Sequence, residues 1–107
     1  MPELKDILYK VSLTSTRGDM SVDVMGICFD SRKIQPGFLF IAVKGTQSDG
    51  HEYISKVVGA GASAVVCEIL PSVIDEQCTF VTVRNSAEAL GIIASNFLGN
   101  PSEKLKL

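Results

Sequence analysis

Residues 38–68, FLFIAVKGTQSDGHEYISKVVGAGASAVVCE, carry the pattern that decides the fold. The run FLFIAV at 38–43 is uninterrupted apolar sequence, as in a strand buried on both faces. Asp49, with Glu52 three residues later, makes a capping box, and Tyr53, Ile54, Val57 and Val58 form one helical stripe that should end near Gly61. AVVC at 64–67 is again apolar and strand-like. Strand, helix and strand in that order read as a βαβ unit, whose right-handed crossover makes the two strands parallel.

The flanking sequence extends the same architecture. QPG at 35–37 sets Pro and Gly in the order of a type II turn just before the first strand of the unit. Upstream, residues 21–29 alternate as a strand does; Val22 and Val24 lie in one phase and Met25, Ile27 and Phe29 in the other, with Gly26 expected to mark a bulge at the change. Leu4, Ile7, Leu8 and Val11 recur at helical spacing, which predicts a short amphipathic helix over 3–11. Downstream, CTFVTV at 78–83 reads as a further strand. Asn85 or Ser86 then caps a helix that turns Leu90, Ile93, Ala94, Phe97 and Leu98 inward and closes at Gly99. The sum is an α/β domain over 1–99. SEKLKL at 102–107 looks like the opening of another strand, so a connector to a further domain is expected over 100–107.

Composition bounds the function. With 46% hydrophobic and 21% charged residues in 107, the chain can bury one core without staples. No apolar run approaches the roughly 20 residues of a membrane helix. The N-terminal MPELKDILYK is charged and amphipathic, unlike a secretory signal, so a cytoplasmic location and no membrane partner are expected. A net charge of −2, with Lys and Arg scattered, leaves no basic stripe for a nucleic acid. The three cysteines, Cys28, Cys67 and Cys78, have no metal-type spacing and read as reduced core residues.

Catalytic signatures are lacking. GAGASA at 59–64 imitates a dinucleotide fingerprint, yet it follows a helix and precedes a strand, whereas a phosphate loop leaves a strand and opens a helix. His51, the single histidine, has no partners at ligand spacing. There is no GxxxxGK[ST] loop, so no bound ATP, magnesium or other cofactor is expected on this chain. Two polar clusters do attract interest. Phe29 and Ser31, two apart at a strand end, should share a face, and Thr46, Gln47 and Ser48 follow the next strand in a glycine-flanked loop. If the two strands are parallel neighbours, an apolar ring beside hydroxyls and an amide would suit a flat heterocycle carrying a ribose. The plainer reading makes DSR and GTQSDG ordinary turns, with Asp30 and Asp49 bonding local amides and Arg32 paired on the surface.

DSRKIQPGFLFIAVKGTQSDGHEYI, continuing through GAGASAVVCE, closely resembles the N-terminal domain of the Mur ligases, ATP-dependent enzymes that add amino acids to the peptidoglycan precursor. The resemblance implies a mixed sheet of about four to six strands with flanking helices. It implies that the chain grips the UDP end of a nucleotide-sugar substrate through Phe29, Ser31, Thr46, Gln47 and Ser48, with Asp30, Arg32, Gly45, Asp49 and Gly50 shaping the turns. Within the family, the tail NFLGNPSEKLKL looks most like the branch that adds the third amino acid, diaminopimelate or lysine, to UDP-MurNAc-L-Ala-D-Glu; the dipeptide-adding branch is next. ATP and magnesium would act in other domains of the full-length enzyme, joined in cis, through an acyl-phosphate on the substrate carboxylate. A stand-alone regulatory or interaction module is the competing expectation.

Overall fold

The protein is described here by a computed structural model covering residues 3–43, 53–70 and 78–98. Its first helix, α1 (Leu4–Ile7), is shorter than the expected 3–11, because Lys10 adopts a left-handed backbone with φ of 69° and turns the chain away. The side-chain amide of Asn96, far along the sequence, donates to the carbonyls of Ile7 and Tyr9, both at 2.7 Å, and satisfies the acceptors that a helix end leaves open.

After α1 comes a strand the sequence did not announce. β1 (Leu13–Arg17) is exposed at all five residues, so it carries no apolar alternation to betray it. It pairs antiparallel with β5 (Thr79–Val83), and Leu13 lies opposite Val83 and Arg17 opposite Phe80. β2 (Gly26–Cys28) covers only part of the expected 21–29, since the residues before it leave the sheet toward α1: Asp23 bridges Glu3, and the Leu4 N–H donates to the Val22 carbonyl at 2.9 Å. Gly26 is no bulge. It pairs in regular register with Phe38, and a Cβ there would stand 2.7 Å from the Phe38 ring, so the glycine allows a close ring-on-backbone approach. The irregularity in the ladder falls instead between Leu13 and Ser15.

The expected type II turn is present: the Phe38 N–H donates to the Gln35 carbonyl at 3.1 Å and Gly37 has φ of 86°. It feeds β3 (Phe38–Ile41), then α2 (Ile54–Gly59) and β4 (Ala64–Cys67). β3 and β4 are parallel, as the βαβ pattern requires. Past α2, Gly61 takes φ of 102°, and the Ala62 N–H reaches back to the Val57 carbonyl at 3.1 Å, a left-handed helix stop. The Gly61 carbonyl accepts from the Gly37 N–H at 2.9 Å, so GAGASA ends a helix and braces the Pro-Gly turn. The capping pair Asp49 and Glu52, and His51, lie outside the described residues.

The five strands run in the order β1-β5-β4-β3-β2, antiparallel only at β1. Alternation divides their side chains between two cores. Leu39, Ile41, Val66 and Val81 face Leu4, Ile7, Ala89 and Ile93 of α1 and α3 (Ser86–Phe97), whereas Phe40, Val65, Cys67 and Phe80 face Ile54 and Val57 of α2. Asn85 caps α3 by accepting from the Glu88 N–H at 3.0 Å. All three cysteines are buried thiols, and burial pushes the Cys67 thiol up to about 11.

Candidate functional site

Because β2, β3, β4 and β5 are mutually parallel, their carboxyl ends lie along one edge of the sheet, where open α/β sheets bind ligands. The end of β2 is the best-defined part of that edge. Phe29, the next residue, is 63% exposed and so leaves an aromatic face open to a ligand at this strand end. Then Asp30 caps a single 3-10 turn, Ser31–Lys33.

Asp30 and Arg32 lock this turn. The Asp30 Oδ1 accepts from the Arg32 backbone N–H at 2.9 Å and from Nε at 3.1 Å, and Oδ2 accepts from Nη2 at 3.0 Å. The Arg32 hydrogen bonds, side chain first and then backbone, hold the Asp30 carboxyl down to about 2 and push Arg32 further up. Behind the turn, the Cys28 thiol donates to the Asp30 carbonyl at 2.8 Å. Asp30 and Arg32 are thus bonded to each other within the turn.

One expectation needs correction. Phe29 and Ser31 do not share a strand face: the strand stops at Cys28, the 3-10 turn rotates Ser31 inward, and Ser31 is 8% exposed beside the open Phe29. Thr46, Gln47 and Ser48, with Gly45, Asp49 and Gly50, lie outside the described residues. β2 and β3 are, however, parallel neighbours, the condition on which a meeting of the two clusters depends.

A cavity of about 310 Å³ opens at this strand end, lined by Ile27, Cys28, Phe29, Asp30, Lys33 and Phe38. Its volume is at the small end of the range for ligand sites, roughly 300–1,000 Å³, enough for part of a nucleotide. Sequence reasoning missed Ile27, Cys28, Lys33 and Phe38 as lining residues. Gly26 was the available signal for Phe38, since a glycine inside a strand marks a close approach as well as a bulge. Among the described residues, no three His, Cys, Asp or Glu side chains gather as a metal site.

Comparison with known proteins adds the decisive observation. Residues 23–98, which include this strand end, match the family described as "Mur ligase family, catalytic domain". The chain belongs to the Mur ligase family. A Mur ligase of Cytophaga hutchinsonii named UDP-N-acetylmuramoyl-L-alanyl-D-glutamate–2,6-diaminopimelate ligase is 57% identical over 106 residues, 98% of this chain and 22% of that protein. The protein of the same name in Phocaeicola vulgatus is 43% identical over 105 residues, again 98% of this chain and 22% of the relative. This chain therefore spans about a fifth of the length of these curated Mur ligases.

Among solved Mur ligase structures, MurF from Acinetobacter baumannii matches with a TM-score of 0.59 and 29% identity, over 68% of this chain and 16% of that one. MurF from Thermotoga maritima, solved in complex with ADP, matches with a TM-score of 0.59 and 29% identity, over 74% of this chain and 17% of that one. The mixed five-stranded sheet with helices on both faces is thus the Mur ligase arrangement anticipated from the residues.

Proposed function

We propose that this chain is the UDP-gripping N-terminal domain, over residues 1–99, of the ligase that joins 2,6-diaminopimelate to UDP-MurNAc-L-Ala-D-Glu in peptidoglycan synthesis, with 100–107 leading toward the rest of the enzyme. The observation that carries this reading is the 57% identity, across 98% of the chain, to a protein named for that reaction. The site agrees with it in chemistry. The exposed Phe29 ring offers a π-face for a uracil, Ser31 sits in the adjoining turn, and Asp30 with Arg32 fixes that turn before any ligand arrives. Thr46, Gln47 and Ser48, following β3, would complete the grip on the ribose side.

In this proposal the domain binds and orients one end of the substrate, and ATP with magnesium makes the substrate carboxylate reactive elsewhere in the full-length enzyme. The residues of this chain do not fit the triphosphate: the sequence has no GxxxxGK[ST] loop, and α2 presents its carbonyl end to GAGASA. No step is therefore derived through ATP here. A cytoplasmic enzyme acting on a soluble nucleotide-sugar accords with this reading; among the described residues no helix is long and apolar enough to cross a membrane.

The second reading is the dipeptide-adding ligase MurF, favoured by the solved structures, at 29% identity against 57% for the diaminopimelate ligase. Supplying the full-length enzyme with UDP-MurNAc-dipeptide or UDP-MurNAc-tripeptide distinguishes them, since turnover of the tripeptide alone would overturn the first reading. For the binding role, Phe29→Ala should weaken UDP binding about tenfold, the low end for loss of one base–aromatic stack. An unaltered affinity in a folded variant would remove Phe29 from the site.

A further inference from the structure

We propose that Lys33 is the residue through which this site recognises the phosphates of its ligand, an inference that rests on the UDP reading above. The argument begins with the two cations of the 3-10 turn. Arg32 is already committed: it takes both oxygens of the Asp30 carboxylate, with contacts of 3.1 and 3.0 Å, and its own N–H takes a third at 2.9 Å. A pair satisfied in this way is neutral as seen by a ligand.

Lys33 is the opposite case. Its backbone is anchored, the N–H donating to the Asp30 carbonyl at 3.0 Å, while its side chain is exposed, lines the cavity and forms no ion pair among the described residues. Both oxygens of the Asp30 carboxylate accept from Arg32, and no ion pair joins it to Lys33 among the described residues. The cavity wall carries Asp30 and Lys33; with Arg32, which pairs with Asp30 just outside the wall, counted in, the charge left over is that of the Lys33 ammonium.

The rest of the wall is apolar or aromatic, formed by Ile27, Phe29 and Phe38. A flat base against such a surface with one mobile cation beside it has the charge layout of a nucleotide site: the wall accepts the heterocycle, and the cation accepts the anionic group linked to it. Lysine suits that task, because a point charge on a flexible stem adapts to a diphosphate without fixed fork geometry. If Lys33 serves the phosphates, it separates nucleotide from nucleoside in affinity.

The test is calorimetric titration of the 107-residue chain with uridine and with UDP, for the wild type, Lys33→Gln and Lys33→Arg. Because Lys33 is exposed, the variants should fold as the wild type does, which circular dichroism checks. The wild type should bind UDP more tightly than uridine. Lys33→Gln should lose about tenfold in UDP affinity, the order of one charge-assisted hydrogen bond, and keep its uridine affinity, while Lys33→Arg retains most of the UDP affinity. Added salt should weaken UDP binding and spare uridine. Equal losses for both ligands in Lys33→Gln, or no loss for UDP, would overturn the role of Lys33 alone; a wild type that binds neither ligand would overturn the UDP reading beneath it.

Discussion

At the end of β2, consecutive residues carry separable tasks, and substitutions should separate them. Ser31→Ala should weaken UDP binding by roughly 1 kcal/mol, the net worth of one neutral hydrogen bond, with little change in thermal stability. A folded variant with unaltered affinity would leave Ser31 a purely structural residue. Asp30 acts on the turn, and its titration gives a signature. Its carboxyl is depressed from 3.8 to about 2, so the stabilisation it contributes is present above about 4 and is lost as pH falls through about 2. Wild type should accordingly exceed Asp30→Asn in thermal stability at neutral pH, and the difference should close toward pH 2; a gap that persists in acid would contradict the assignment. That Asp30 bonds a local backbone N–H was legible in the sequence, because an Asp in a polar turn bonds the amide two residues on; that its partner in the surface pair is Arg32 was not. The cavity-facing Lys33 was not, since which of two adjacent cations is already engaged is a matter of rotamer.

Two elements test the packing. In Gly26→Ala the new Cβ would stand 2.7 Å from the Phe38 ring, which must move. A cost of ~1–3 kcal/mol is expected from such overpacking, along with a change in UDP affinity, because Phe38 also lines the cavity. Chemical denaturation measures the first and calorimetry the second; a variant as stable as the wild type would show that the ring yields freely. Asn85→Ala, by contrast, removes the α3 cap and should cost about 1 kcal/mol while leaving UDP affinity intact, since none of the residues lining the β2 cavity belongs to α3. At this scale the sequence was most informative where burial was two-sided. β3, β4 and β5 stand where their apolar patterns put them, and so does the Pro-Gly turn; α3 buries Ile93 as expected, but Leu98, expected inward, lies just past its end and is 75% exposed. β1 escaped detection because its exposed LTSTR pairs through backbone and the hydroxyls of Ser15 and Thr82, with no apolar stripe, and β2 was overextended because alternation in 21–25 reflects packing toward α1 rather than sheet pairing.

The whole molecule is a three-layer sandwich whose two cores close on either side of one sheet, and that completeness predicts a chain able to fold alone. It should hold UDP only weakly, because a ligand gripped at one end forgoes the contacts that the rest of a full-length enzyme would make to its sugar and peptide. ATP should find no site, the sequence having no GxxxxGK[ST] loop to cradle its phosphates. The measurement that tests the central claim most directly is an amide NMR titration of the 107-residue chain with UDP and, separately, with ATP. The account predicts saturable shifts with UDP at Phe29, Ser31 and Lys33, and at Thr46, Gln47 and Ser48, with these amides unmoved by ATP. No response to UDP at millimolar ligand, or saturable shifts with ATP around Gly59 to Ala64, would contradict it.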